Sequence, residues 1–164
     1  MKFSTTLIAV NDMEKSLAFY KEIFNQDVVC DLGWNKTLTC GLCLQLNFDK
    51  IAGFPKESMQ FKTNNTEFYF ETEDMDSFMK LLDSHPEIER LHELKTHTWH
   101  QRTIRFYDPD GHLIEVGESM QYVAFSQFEK GLSAEETAKE IEHPVEIVNK
   151  WFEEYKNIGK NQTL

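Results

Sequence analysis

Residues 105–118 read RFYDPDGHLIEVGE, and this stretch decides the fold. RTIRFY (102–107) and HLIEVGE (112–118) carry the aromatic and branched residues of strands. Asp108-Pro109-Asp110-Gly111 between them supplies turn residues, so the spacing predicts a hairpin. Glu115 is then a single carboxylate set into the apolar second strand. It reads in three ways: as a surface charge, as a metal ligand, or as half of an acid–base pair.

Working outward, FSTTLIAV (3–10) is a β-rich run stopped by Asn11-Asp12, and Asp12 is a good helix N-cap. MEKSLAFYKEIF (13–24) places Met13, Leu17, Tyr20 and Phe24 on one helical face. Val28-Val29-Cys30 is a short strand, and TLTCGLCLQLNF (37–48) predicts two more that meet near Cys40-Gly41. KIAGFPKESMQFKTNN (50–65) is polar and irregular, a connector. The same order then returns: a strand over 66–74, a helix over 75–85 with Phe78, Leu81 and Leu82 inward, a strand over 87–94, a loop over 96–101, and the hairpin. Asp12-Met13 in the first half is matched by Asp74-Met75 in the second. So long a repeat lies outside the solenoid range and implies two paired modules. After Gly117 the pattern turns helical over 119–131, over 133–141 with a Ser133–Glu136 capping box, and over 145–155 after Pro144. This tail is expected to bury Phe125, Phe128, Ile147, Trp151 and Phe152.

A chain of 164 residues suits one domain with an appendage, and 13 Phe, 5 Tyr and 3 Trp supply a core that needs no covalent staples. The net charge of -11 repels phosphate backbones and argues against nucleic acid as partner. The tail has the rhythm of a helix-turn-helix, but its last helix carries Glu146, Glu153 and Glu154, so a transcriptional regulator is the weakest reading. MKFSTTLIAV looks like neither an export signal nor a membrane span, and three cysteines form no even framework; the expected location is the cytoplasm. Cys40 and Cys43 have C-x-x-C spacing in a strand–turn–strand context, unlike a redox motif. His92, His97 and His100 lack companions at metal-site spacing, and His112 is expected to serve the hairpin.

The two modules, with VNDMEKSLAFYKEIF (10–24) and RFYDPDGHLIEVGE, resemble the vicinal oxygen chelate superfamily of glyoxalases, bleomycin-resistance proteins and extradiol dioxygenases. The resemblance covers residues 1–118. It implies an α+β fold of two tandem βαβββ modules forming one cleft, here with a C-terminal three-helix tail. The expected organisation is a glyoxalase-like domain over 1–118 (modules 1–49 and 65–118, connector 50–64) and a helical tail over 119–164. Metal-dependent members hold a divalent ion with His, Glu or Gln. Matched by position, those ligands fall on Thr5, Gln45, Glu67 and Glu115, so Thr5 and Glu67 stand where imidazoles would. The resemblance thus implies either no cofactor or a weakly bound divalent metal (Mn, Ni, Zn or Mg) on Gln45, Glu67 and Glu115.

Strand alternation puts Thr5, Leu7, Gln45, Asn47, Glu67, Tyr69, Thr103, Arg105, Tyr107 and Glu115 on the face away from the helices. Gln45, Asn47, Tyr69, Trp99, Arg105 and Tyr107 are the candidate ligand-binding residues, with Trp99 as a stacking or closing side chain. Glu115 and Glu67 are the candidate catalytic pair, because neighbouring carboxylates in a shielded site separate in pKa. Arg105 offers a different role for Glu115, a structural ion pair. The leading expectation is a glyoxalase-like protein that binds or transforms a small polar or anionic molecule without a conventional His-containing metal site. The alternative is a divalent-metal-dependent lyase, isomerase or dioxygenase-type enzyme using Glu115, Glu67 and Gln45. A homodimer is compatible with either.

Overall fold

The structure is a computed structural model that describes residues 1–161. The first module contains β1 (Leu7–Ala9), α1 (Met13–Phe24), β2 (Val28–Asp31), β3 (Asn35–Leu38) and β4 (Cys43–Gln45). The second contains β5 (Glu67–Thr72), then a helix at Met75–Asp83, β6 (Lys95–Thr96), β7 (Arg102–Tyr107) and β8 (Leu113–Glu118). Between the modules lie α2 (Phe48–Ala52) and a 3-10 turn (Lys56–Ser58), so the helix at Met75–Asp83 is α3. Both sheets have the same order, β1-β4-β3-β2 and β5-β8-β7-β6. In the first, β1 pairs parallel with β4, and the other neighbours are antiparallel. The fold is the expected α+β arrangement of two βαβββ modules. It is followed by α4 (Met120–Glu129), α5 (Ala134–Glu140) and α6 (Val145–Asn161).

Local chemistry explains these boundaries. The Asp12 carboxylate accepts from Lys15 N and caps α1, and Asn25 ends the helix in the left-handed conformation. The Ser133–Glu136 capping box opens α5 with both reciprocal hydrogen bonds formed. Three expectations need correction. The first strand is only Leu7–Ala9, because its partner β4 is equally short. Part of the connector is helical, since Asn47 adopts φ 52° and starts α2. Residues 87–94 form no regular strand. Turns that follow α3 and Pro86 interrupt them, and their ladder is reduced to isolated bonds such as Leu91 N to Arg105 O.

The chain divides into two compact units. The first comprises Met1–Phe68, Leu81–Glu89 and Phe106–Ile114; the second comprises Tyr69–Lys80, Arg90–Arg105 and the described residues from Glu115 on. In the first unit, Tyr20, Leu38, Leu44, Leu82, Phe106 and Ile114 are fully buried, and Phe24 stacks on Phe106. The two sequence signatures meet there. Asp110 Oδ1 accepts from Asn11 N at 2.9 Å and Asn11 Nδ2 at 2.7 Å, while Asp110 Oδ2 accepts from Ser16 Oγ at 3.1 Å. Asp108 Oδ1 accepts from the backbone of Asp110 and His112, which holds the turn. Its Oδ2 accepts from the buried Tyr20 hydroxyl at 3.0 Å and lies 2.9 Å from His112 Nδ1. Gly111 adopts φ 86°, which an L side chain rarely takes.

In the second unit, α4, α5 and α6 share a core of Val123, Ala124, Phe128, Ala134, Ala138, Ile141 and Val148. Phe125, Trp151 and Phe152 pack partly buried against it, as expected of the tail, whereas Ile147 is exposed. Among the described residues no helix is long and apolar enough to cross a membrane.

Candidate functional site

Along β5 the side chains alternate, with Glu67, Tyr69 and Glu71 exposed and Phe68, Phe70 and Thr72 partly buried. This alternation sets Tyr69 and Glu71 on one face of the strand. Within the second unit that face lines a cavity of about 750 Å³. Tyr69, Glu71, Trp99 and Gln101 line it from the module, and Met120, Ile141, Glu142, His143 and Trp151 line it from the tail. Its size lies in the range of small-molecule pockets.

The wall of this cavity is organised by Gln101, which is 7% exposed. Gln101 Nε2 donates to the Tyr69 hydroxyl at 2.9 Å and to the Glu118 carbonyl at 2.8 Å. Its Oε1 accepts from the Trp99 indole N–H at 2.9 Å. One amide thus fixes both aromatic rings. His97 stacks on Trp99 with ring centroids 4.2 Å apart and planes 7° apart. Burial holds the His97 imidazole below its usual pKa, aided by the positive charge of Arg105, so the ring in the stack is neutral at pH 7. Burial pushes the Tyr69 phenol up to about 12, and the negative charge of the Glu71 carboxylate acts in the same direction.

Gly117 completes the wall for a steric reason. A Cβ there would lie 2.9 Å from Gln101 Nε2 and 3.0 Å from Tyr69 Cε2. Only a bare backbone lets these two side chains lie so close over β8. Beneath the wall, Arg102 bonds to Glu118 through Nε, at 2.9 Å, and through its own backbone N–H, at 3.0 Å, and its Nη1 reaches Asp76 at 2.6 Å. On the tail side, His143 and Trp151 lie ring against ring at 5.3 Å, and Glu142 accepts from Thr98 Oγ1 at 3.1 Å.

The other expected residues are placed as follows. Glu115 is buried in the second unit and ion-paired with Arg105. Tyr107 is in the first unit, buried, and donates to Asn64 Oδ1 at 2.8 Å. Gln45 is buried there too; its Oε1 accepts from Asn35, and its Nε2 donates to the carbonyls of Trp34 and Leu46. Asn47 serves as the start of α2, and Glu67 lies exposed at the start of β5. The Thr5 hydroxyl donates to the Gly41 carbonyl. His92 and His100 meet other partners, Glu93 O and Glu140, and His97 Nε2 lies 3.0 Å from Thr103 Oγ1.

These placements test the metal donor set. At the four matched positions, the Thr5 hydroxyl, both ends of the Gln45 amide and the Glu115 carboxylate already have protein partners. The imidazoles that borderline metals prefer are missing. Among the described residues no three His, Cys, Asp or Glu come together as a metal cluster. The donor set therefore does not fit a conventional His-containing divalent-metal site. A second cavity, of about 560 Å³ in the first unit, lies beside the DPDG turn and includes Tyr107.

Of the expected ligand-binding residues, Tyr69 and Trp99 share the second-unit cavity, and Arg105 lies in the same unit beside Glu115. Gln101, Glu71, Gly117, Glu142 and Trp151 escape sequence reasoning. Glu71 was within reach of it, because it continues the i, i+2 face of Tyr69.

A family description of a glyoxalase-like domain matches residues 3–121. A protein of unknown function from Agrobacterium tumefaciens str. C58 is similar at 32% identity over 73% of this chain and 94% of its own, with a TM-score of 0.62. The fosfomycin resistance protein FosX of Listeria monocytogenes is similar at 25% identity over 73% and 91%, with a TM-score of 0.54. A lactoylglutathione lyase from Agrobacterium tumefaciens shares the fold at 23% identity over 73% and 94%, with a TM-score of 0.53. No curated protein matches the chain.

Proposed function

The chain belongs to the glyoxalase-like domain family of the vicinal oxygen chelate superfamily, and from that premise we propose that it binds a small organic molecule in the second-unit cavity without a conventional metal centre. One observation carries the reading: Tyr69 and Trp99 are both locked by Gln101 onto the wall of a cavity of ligand size. Preorganised aromatic rings lower the ordering cost of binding. The occupied donors at Thr5, Gln45 and Glu115 support a metal-free mode. In this reading residues 1–118 are the glyoxalase-like domain, and 119–164 are an appendage whose described part supplies one wall of the site.

The pairing of Glu115 with Arg105 argues against Glu115 as a free general base, because the carboxylate is already held by a structural partner. The test is a thermal-stability and tryptophan-fluorescence screen of small organic molecules of every charge sign, with and without Mn²⁺, Ni²⁺, Zn²⁺ or Mg²⁺. Binders should stabilise the wild-type protein without added metal by mass action, and Trp99→Ala should abolish the effect. Binding that requires a metal, or that survives Trp99→Ala, overturns the proposal.

A further inference from the structure

The donors and acceptors of the second-unit cavity are unevenly used. Both Gln101 Nε2 hydrogens have acceptors, in Tyr69 and Glu118. The Trp99 indole N–H is given to Gln101, and Gln121 Nε2 donates to Glu154. The Tyr69 phenol accepts from Gln101 and has the Glu71 carboxylate beside it. These donors are committed within the protein. Beside the Ser119 hydroxyl and the His143 imidazole, what the cavity mainly offers is acceptor capacity, because the carboxylates of Glu71 and Glu142 have more lone pairs than their named partners use.

The lining contains two carboxylates and three large aromatic rings, Tyr69, Trp99 and Trp151, but no Lys or Arg among the described residues. An anion placed there would face like charge and find few N–H or O–H groups to receive it. A cation would find carboxylates to pair with and ring faces whose quadrupole attracts positive charge. The net charge of -11 works in the same direction at longer range.

We infer that this cavity takes an organic cation, an amine or quaternary ammonium group carried on a flat apolar body. The inference rests on the reading of the cavity as the binding site and adds the sign of the ligand. It reverses the anionic character expected from Arg105, whose guanidinium is committed to Glu115 and does not line the cavity. Glu71 and Glu142 stand on opposite sides in sequence terms, one on β5 and one between α5 and α6. The cationic site therefore exists only with the appended helices in place.

The probes are benzyltrimethylammonium, benzyl alcohol and phenylacetate, which share a ring and differ in charge. Binding to the full chain is followed by calorimetry and by tryptophan fluorescence in a Trp34→Phe background, which removes a tryptophan outside the cavity. The cation should bind about tenfold or more tighter than the neutral and anionic probes, weaken with added salt, and lose about tenfold in the Glu71→Gln/Glu142→Gln double variant. Both glutamates are exposed, so that variant should fold, and an unchanged circular dichroism spectrum and melting temperature verify it. If the neutral or anionic probe binds as tightly as the cation in a Trp99-dependent manner, the inference is overturned and the cavity remains a binding site. If no probe of any charge binds in a Trp99-dependent manner, the inference falls, and the broader screen decides whether the proposed function falls with it.

Discussion

Replacing Gln101 with leucine keeps its approximate volume and removes only the amide, so it isolates what that amide does. Three hydrogen bonds disappear, to Tyr69, Trp99 and Glu118. Tyr69 is 46% exposed and Trp99 only partly buried, so both polar groups can turn to water at little cost. Glu118 is 4% exposed, and its carbonyl has no such route. The stability cost is then that of one orphaned buried acceptor, about 1–3 kcal/mol. In a chain of this size that lowers Tm by roughly 3–10 °C. Binding pays separately, because two rings held in place before binding must now be ordered by the ligand. At about 0.5–1.5 kcal/mol for each side chain, the loss is roughly 5- to 150-fold in Kd. Scanning calorimetry measures the first effect and titration with benzyltrimethylammonium the second. Anisotropy of Trp99, alone in a Trp34→Phe/Trp151→Phe background, reports ring mobility without any ligand. A fall in Tm with unchanged anisotropy would refute the reasoning, since Gln101 would then be a strut of the core and not the organiser of the wall.

Three further outcomes follow from the geometry. Gly117→Ala forces a Cβ against Gln101 and Tyr69 and should cost about 1–3 kcal/mol in urea unfolding, with displacement of Tyr69 visible in a crystal structure of the variant. Arg105→Met leaves Glu115 buried without its cation and should destabilise by about 3 kcal/mol, a loss that Glu115→Gln in the same chain should largely reverse. Tyr20 is fully buried beside Asp108, and that burial raises its phenol well above the ordinary value of 10.0. Because the folded pKa is the higher one, its stabilising contribution is complete below pH 10 and shrinks as pH rises beyond that value. Tyr20→Phe should lower stability at pH 7 yet flatten the decline above pH 10, followed by urea midpoints across the alkaline range.

The parts of the fold that were legible share one property, that their signal is local. Asp12 caps α1 three residues ahead of the amide it receives, and the Ser133–Glu136 box closes on itself. The strand character of β7 and β8, with the turn residues between them, needs only neighbours in sequence. The strand expected over 87–94 failed because periodicity does not say whether a ladder partner lies alongside for long enough. The cavity was legible only on the side supplied by the second module, in Tyr69 and Trp99. Tyr69 follows from the face of β5, but the rank of Gln101 does not. Nothing in THTWHQR distinguishes a glutamine that touches Tyr69, 32 residues away, from one in open water. Ile147 shows the same limit, since its apolar spacing on α6 predicted burial and the structure leaves it exposed.

The appended helices bear most directly on how this chain departs from a metal-holding plan. At the matched positions a hydroxyl, an amide and a carboxylate are bonded within the protein, to Gly41, to Asn35 and to Arg105, and each such bond competes with a ligand for that group. A cavity that binds without an ion must obtain affinity from area and shape. The exposed face of β5 offers little of either, since Tyr69 is its one large apolar side chain and remains half uncovered. Ile141, His143 and Trp151 give that face an opposing wall, and Glu142 adds a carboxylate held by Thr98. Glu142 adopts φ 54°, a conformation that costs a non-glycine residue free energy and sets the sharp turn between α5 and α6. Replacing Glu142 by glycine would ease the backbone and remove the carboxylate together, so a gain in stability with a loss of cation binding is the combination that the proposed site requires.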